Sequence, residues 1–327
     1  MRVLLLGATG LLGHNVLRRL MDEGHQVVAL VRSSRSLQLE GGEYEVIERR
    51  DIVDAAVLEH AAEGCEAVVN CAGVTDMGLL HYEDYERVNV RLPEMLVDVM
   101  KKLGIRCLVH VSTVNTIKLG SWGAPLDAME VGSRPFSASH YARSKAMGEE
   151  MLRRGMQRYP ELRCVVVNPG FMLGPYDVKP SSGRMLLAAY RKPVMFAPKG
   201  GKAFVHVADV ARVVVNALTQ GSSGVKYAAV NGSAFLSISQ LYRMQAAVCG
   251  YRQRVLPAPN WLLLAAGRVG DLLRRMGVRT EVSTVNIRQL LASEHFDNSP
   301  AKTELGLEET PIEEAIREFH EWRHNRL

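Results

Sequence analysis

The chain has 327 residues, 47% hydrophobic and 23% charged, with 40 Lys and Arg against 35 Asp and Glu for a formal net charge of +5. That length allows one large domain with a smaller companion, and the composition is that of a folded protein, which excludes disordered and fibrous classes. The positive surplus falls in short pairs such as Arg18-Arg19, Arg49-Arg50 and Arg153-Arg154, and without a basic stripe or a reader motif nucleic acid is not an expected partner.

Short β-branched or leucine-rich runs alternate with longer amphipathic segments. Val3 to Leu6, Gln26 to Val31, Glu45 to Ile47, Ala67 to Asn70, Cys107 to Val111 and Cys164 to Val167 read as strands. Between them, Leu12, Val16, Leu20 and Met95, Val99, Leu103 recur at helical intervals, so the pattern is β-α-β with parallel crossovers, and the fold class is doubly wound α/β. After Pro169 the pattern loosens into Gly- and Pro-containing loops, and from Ser237 onward the periodicity is mainly helical. The stretch Phe204 to Leu218 and the run Lys226 to Val230 read as a strand, helix and strand that return to the main sheet. The sheet domain is expected to take 1–170 and about 204–230, with a smaller, mainly helical substrate domain from about 171–203 and 231–327. Pro93 lacks a helical donor, so a kink or a new helix start is expected there, and Asn89 is read as structural.

The five cysteines, Cys65, Cys71, Cys107, Cys164 and Cys249, are odd in number and contain no C-x-x-C pair, which suits a reducing, cytoplasmic setting. The apolar run after Arg2 is short for a signal peptide and no run reaches membrane-spanning length, so secretion is not expected.

Immediately after the first strand comes Gly7-Ala8-Thr9-Gly10-Leu11-Leu12-Gly13, followed by an amphipathic helix. Glycines there permit a tight turn and close backbone approach to pyrophosphate, and the free N–H groups of the helix start supply donors, so this strand-turn-helix is a nucleotide cradle. At the end of the second strand, where an NAD enzyme presents a carboxylate to the ribose, stands Arg32, with Ser33 and Arg35 close by. Guanidinium groups in that place suit a 2′-phosphate, which favours NADP(H) and leaves NAD(H) as the alternative. Further on, Tyr141 and Lys145 share one helical face. A neighbouring ammonium favours the phenolate, so Lys145 is expected to lower the pKa of Tyr141 toward useful acid-base chemistry.

These segments, in this order, resemble the extended short-chain dehydrogenase/reductase (NAD-dependent epimerase/dehydratase) family over nearly the whole chain. Gly7 to Gly13 is similar to its GxxGxxG loop, Asp51-Ile52 to its adenine-contact pair, Asn70-Cys71-Ala72-Gly73 to its fourth-strand motif and Tyr141 to Lys145 to its YxxxK. Asn168-Pro169-Gly170 with Gly174-Pro175 is similar to its segment beside the nicotinamide, and Phe204 to Val210 and Ala301 to Gly306 fit later signatures. The resemblance implies a dinucleotide held by Gly7, Thr9, Gly10, Leu11, Leu12, Arg32, Arg35, Asp51, Ile52, Cys71, Ala72, Gly73, Tyr141, Lys145 and Pro169. It implies catalysis by Thr113, Tyr141 and Lys145, with the register favouring Thr113 over Ser112 as the hydroxyl that meets the substrate oxygen. Lys145 would also hold the nicotinamide ribose.

The nearest branch in motif is that of dihydroflavonol reductases and hydroxysteroid dehydrogenases, which implies hydride transfer between the nicotinamide and a carbonyl or secondary alcohol of a small substrate. Thr113-Val114-Asn115 lacks the acidic residues of the dehydratases, so dehydration is disfavoured. A nucleotide-sugar epimerase with tightly held NAD is the alternative, and Lys202 lies near the place where such enzymes hold a diphosphate. A non-catalytic dinucleotide sensor is a third reading, set against the presence of Tyr141, Lys145 and Thr113. The family also makes a homodimer through the two long helices after the fourth and fifth strands plausible.

Two further signals have plainer explanations. His320-Glu321-Trp322-Arg323-His324 matches H-E-x-x-H, but three residues follow, leaving no downstream third ligand, so a terminal helix is expected and no metal. Trp261 to Met276 is apolar with Arg268, Arg274 and Arg275, which reads as a cover over a substrate cleft or a dimer face in preference to a helix on a membrane surface, since Asp271 dilutes its basic side.

Overall fold

The computed structural model describes residues 1–37, 44–118, 132–232 and 235–325. The first half alternates as the hydrophobic runs require: β1 (Arg2–Leu6), α1 (Leu11–Asp22), β2 (Gln26–Val31), β3 (Tyr44–Glu48), α2 (Ala55–Ala62), β4 (Ala67–Asn70), α3 (Glu83–Glu86), α4 (Leu92–Leu103), β5 (Cys107–Val111), α5 (His140–Arg158) and β6 (Arg163–Pro169). The second half runs β7 (Phe171–Leu173), α6 (Gly183–Ala189), β8 (Val194–Ala197), β9 (Gly201–His206), α7 (Val207–Asn216), β10 (Lys226–Ala229), β11 (Phe235–Ser237), α8 (Ile238–Val248) and β12 (Arg254–Pro257). It closes with α9 (Asn260–Arg275), α10 (Thr284–Leu291), α11 (Ser299–Leu305) and α12 (Ile312–His324).

Seven parallel strands form the main sheet in the order β10-β6-β5-β4-β1-β2-β3. Its central strands are apolar without alternation because helices cover both faces. On one face, Val16 and Leu20 of α1 meet Val210 and Val214 of α7; on the other, Leu58 of α2, Leu96 of α4 and Leu152 of α5 share a second core. The strand order reverses between β1 and β4, and in such sheets the crevice outside the carboxyl ends at that point receives the ligand.

Phe204 belongs to a strand, as expected, but β9 does not join the main sheet. It pairs in parallel with β7 and antiparallel with β11 in a separate three-stranded sheet. The chain leaves the main sheet at Gly170, where a Cβ would lie 2.2 Å from the Ala203 carbonyl oxygen. Phe204 then packs edge-on to Phe171 at 5.3 Å, in a core with Leu173, Leu241, Ile316 and Phe319. The short strands β8 and β12, which pair in parallel, have too little alternation to be read from sequence.

The backbone around Pro93 behaves as its missing donor demands. Arg87–Arg91 form a π-helical turn, and the helix runs through it unbroken from α3 into α4, with Pro93 in the first two positions after the turn. Such a turn widens the helix locally, and here it carries Asn89 against α5, where a Cβ on Gly148 would stand 2.2 Å from the Asn89 carbonyl oxygen.

Candidate active site

The loop after β1 is shaped by its glycines. Gly7 has φ +82°, and a Cβ on it would fall 2.6 Å from the backbone nitrogen of Ala72. A Cβ on Gly13 would fall 2.0 Å from the Gly7 carbonyl oxygen, so the first turn of α1 presses directly on the loop. The Gly10 N–H donates to the Gly7 carbonyl at 3.0 Å, and Gly10 begins α1 with no side-chain cap. Thr9 is half-buried, while Leu11 and Leu12 turn their side chains into the core. The helix start therefore offers backbone donors and a positive dipole end at the carboxyl edge of the sheet, which fits the pyrophosphate of a dinucleotide. The helix is tied to the loop after β7: Asn15 Nδ2 donates to the Pro175 carbonyl at 3.1 Å, and His14 stacks on Tyr176 at 4.3 Å between ring centres.

On the β2 side, Arg32 and Arg35 are both exposed. The Ser33 hydroxyl accepts from the Arg35 N–H. Glu48 is occupied by Ser34, accepting from its N–H at 2.9 Å and its hydroxyl at 2.7 Å. Those bonds, with the charge of Arg35 beyond them, hold the Glu48 carboxyl below its ordinary value. Asp51 pairs with Arg87 and accepts from the Val53 N–H at 3.0 Å, and Ile52 is buried beside it. At the end of β4, Asn70 Oδ1 accepts from the Ala72 N–H at 3.1 Å and fixes the turn into Cys71, Ala72 and Gly73. Gly73 is exposed, and a Cβ there would stand 3.9 Å from Lys145 Nζ, which brings the fourth-strand motif to the YxxxK lysine.

Ser139 caps α5 by accepting from the Ala142 N–H at 3.1 Å, and the helix places Tyr141, Lys145 and Glu149 in one stripe. Tyr141 is half-buried, whereas Lys145 and Thr113 are buried. The Thr113 hydroxyl accepts from the Asn115 N–H at 3.3 Å and lies near enough to the Tyr141 phenol to favour its ionised form. Ser112 is buried too, and among the described residues its hydroxyl has no partner. Lys145 Nζ donates to the Val111 carbonyl at 2.7 Å. Pro169, at the end of β6, is buried.

The expectation that Lys145 lowers the Tyr141 pKa is corrected. Burial pushes the phenol up, the Thr113 hydroxyl opposes that, and Glu149 adds to it. Burial likewise brings the Lys145 ammonium down to about 8, against the opposing charges of Glu149 and Cys71. These shifts favour a protonated tyrosine and a lysine that loses its charge under mildly alkaline conditions.

Sequence reasoning stopped at Lys145 and missed what lies one helical turn further. Glu149 Oε1 accepts from the Thr116 hydroxyl at 2.7 Å and from Asn168 Nδ2 at 3.0 Å, and its other oxygen lies 3.6 Å from Lys226 Nζ. Asn168 also donates to the Thr113 carbonyl at 2.9 Å. Glu149 and Lys226 are almost wholly buried, so each requires the other and the amides around them. The network ties α5, β6, β10 and the Thr113 turn together behind the tyrosine. The one sequence signal for it is the glutamate eight positions after Tyr141. Asn89, read as structural, bonds both ways across Val74 and donates to the Ser144 hydroxyl at 2.9 Å.

Lys202 and His320 are otherwise engaged. Lys202 is buried, pairs with Glu294, donates to the Gln289 carbonyl at 3.1 Å and lies over the Phe136 ring. His320 stacks on Tyr190 at 4.6 Å with its Nε2 3.0 Å from Gln245 Nε2, and burial brings its pKa down to about 4. Near the start of α5 lies a cavity of about 540 Å³ lined by Arg134, Pro135, Ser137, Ala138, Leu264, Val285, Arg288, Leu291 and Ala292. Ser137 and Ala138 lie four and three positions before Tyr141 in the chain, and Tyr141 is not among the residues that line this largely apolar space.

A doubly wound sheet, a glycine cradle at its switch point and a Tyr-Lys-Thr cluster beside that cradle define a Rossmann-type NAD(P)-binding oxidoreductase. The chain belongs to the NAD dependent epimerase/dehydratase family, whose model matches residues 3–231. Among curated relatives it is 28% identical to "Sterol demethylase protein B" of Methylococcus capsulatus, over 98% of both chains. It is 26% identical to "Putative dihydroflavonol 4-reductase" of Synechocystis sp., over 98% of this chain and 93% of that one. Among solved structures, that of gox2253 superposes with a TM-score of 0.80 at 27% identity, over 99% of this chain and 98% of the other.

Proposed function

We propose that the protein is an NADP(H)-dependent reductase acting on the carbonyl of a small substrate with an apolar body, and on the matching secondary alcohol in reverse. The observation that carries this reading is Lys145, one helical turn after Tyr141, bonded to the Val111 carbonyl at 2.7 Å beneath Gly73, which sets the Tyr-Lys pair and Thr113 beside the glycine cradle at the carboxyl edge of the sheet. When bound, NADPH supplies a hydride. The Thr113 hydroxyl donates to the carbonyl oxygen, and Tyr141, kept protonated by burial, passes its proton to that oxygen as the carbon is reduced. One hydride and one proton convert the C=O to CH–OH. Lys145, buried beneath Gly73, holds the ribose and supplies positive charge near the reacting oxygen. Arg32 and Arg35 are exposed and, among the described residues, in no ion pair, which leaves their guanidinium groups available to a 2′-phosphate. The burial of Lys202 against Glu294 argues against the nucleotide-sugar alternative, because its charge is already neutralised.

The substrate class rests on the cavity near the start of α5, where Pro135, Ala138, Leu264, Val285, Leu291 and Ala292 suit an apolar ring system and Arg134, Ser137 and Arg288 can meet a polar substituent. The sterol and dihydroflavonol in the relatives' names are of that kind. The test offers purified protein and NADPH a panel of sterol-like and flavonoid ketones, short hydrophilic ketones and nucleotide sugars. Apolar ketones are expected to consume NADPH with one alcohol formed per cofactor. Epimerised nucleotide sugar without net cofactor consumption would overturn the reading.

A further inference from the structure

Helix α9 is amphipathic in the wrong sense for a soluble cover. The residues it buries are Gly267 and Gly270. A Cβ on Gly270 would lie 1.9 Å from the Val282 carbonyl oxygen, and one on Gly267 would lie 3.0 Å from Thr284 Cα, so the helix presses on the chain before α10 through bare backbone. Most of its large side chains are left outside. Trp261 is 72% exposed and Met276 71%, with Leu262, Val269, Leu272 and Leu273 exposed between them.

The apolar surface continues onto the neighbouring two-stranded sheet. Phe196 and Leu256 are paired in register and both exposed. The Ala258 N–H donates to the Ala197 carbonyl at 2.8 Å, and Pro259 then opens α9. The exposed strand face thus runs directly into the turn carrying Trp261 and Leu262. A patch of this extent on a chain with an otherwise well-packed core marks an interaction surface.

Charge selects the occupant. Residues 190–200 and 249–276 contain eight Lys and Arg and a single acid, Asp271. Asp271 is engaged with the Thr284 N–H at 3.0 Å, and Arg274 is spent on the carbonyls of Gly78, Leu79 and Thr280. Among the described residues Arg252, Arg254, Arg268 and Arg275 have no ion pair, and all four are exposed. An apolar ridge with a cationic rim matches an anionic lipid surface, where apolar side chains enter the acyl boundary and arginines reach back to the headgroups. A second copy of the chain would bring two such rims together, like charge against like.

We propose that α9 and the β8–β12 face dock this protein on an anionic membrane surface. Leu264, on the inner side of the same helix, lines the cavity beside the catalytic helix, so the docked face and the substrate space share one wall. The inference stands independently of the reaction assigned above, because docking needs neither cofactor nor turnover.

The test is co-flotation of the full chain with phosphatidylcholine vesicles, with and without phosphatidylserine, using wild type and Tyr141→Phe. Both are expected to float with phosphatidylserine vesicles at low salt and to be released by high salt. The double variants Trp261→Glu with Leu272→Glu, and Arg268→Glu with Arg275→Glu, are each expected to weaken binding at least about tenfold. These positions are exposed, and circular dichroism and melting temperature serve as controls for folding. The proposal is overturned if wild type does not float with phosphatidylserine vesicles at low salt, or if folded variants float as well as wild type. It is also overturned if light scattering shows a wild-type dimer that the Trp261 and Leu272 variant converts to monomer without any vesicle binding.

Discussion

Tyr141→Phe is expected to lower kcat for ketone reduction by about 10²- to 10⁴-fold, the usual contribution of a positioned general acid, while leaving the cofactor dissociation constant within about twofold. The substitution removes one oxygen from a half-buried ring and keeps its volume. The Lys145 bond to the Val111 carbonyl and the Glu149 network do not pass through that oxygen. Binding and folding should therefore survive where proton transfer does not. Turnover retained to within about tenfold would mean that another group delivers the proton.

The pH dependence of the wild type belongs to the same reading. Tyr141 is held above its ordinary value and stays protonated across neutral pH, whereas Lys145 titrates near 8. Because kcat/KM reports the free enzyme, it should be level below that pH and fall as the pH rises through about 8, where Lys145 loses the charge that favours a developing oxyanion. A profile that instead rises through this window would assign Lys145 the opposite role.

Gly13→Ala should abolish useful cofactor binding, with a loss of at least about 100-fold, or roughly 2.7 kcal/mol. The new methyl would stand 2.0 Å from the Gly7 carbonyl oxygen, 2.6 Å from its carbonyl carbon and 3.0 Å from Ala8 Cα. All three are backbone atoms of the loop itself, so no side chain can swing aside. Either α1 lifts from the loop or Gly7 moves, and Gly7 is confined by Cys71 and Ala72 on its other side. Overpacking of this kind costs about 1–3 kcal/mol of stability as well, so the melting temperature should fall. Gly10→Ala supplies the contrast: its Cβ meets one atom, the Gly7 carbonyl oxygen at 3.4 Å, and stability should be nearly unchanged. Equal cofactor affinity in Gly13→Ala and wild type, measured by titration, would show that the loop does not hold the pyrophosphate.

The main sheet was legible because strands buried on both faces leave unbroken apolar runs, and five of its seven strands follow from those runs alone; the edge strand β3, where only Ile47 is buried, was read from the short run Glu45 to Ile47. Lys226 to Val230 was also placed correctly in that sheet, as β10. Strand β9 was misplaced because a run such as Ala203 to Val205 does not record which neighbour it joins, and the choice was made by Gly170 and by the core around Phe171 and Phe319. The site divides in the same way. The glycine loop and the Tyr141 to Lys145 pair are local patterns with fixed spacing, and they were visible. The Glu149, Asn168 and Lys226 network joins residues far apart in the chain, and it needed the folded sheet to appear. The direction of the Tyr141 shift was misread because spacing conveys a neighbour's charge but not the depth of burial, and burial prevails here. Helix α9 was apolar on sight. That Gly267 and Gly270 face inward while Trp261, Val269 and Leu272 face outward could be read only once the two glycines were set against Thr284 and Val282.

The measurement that tests the account most directly is titration of purified protein with NADPH and NADH, for wild type and Arg32→Ala, after analysis of any nucleotide that survives purification. NADPH is predicted to bind at least about tenfold tighter than NADH, a difference of about 1.4 kcal/mol, and Arg32→Ala should remove that preference while leaving NADH binding intact. NAD retained through purification, or equal affinities in the wild type, would contradict a reductase with a dissociable NADP(H) cofactor.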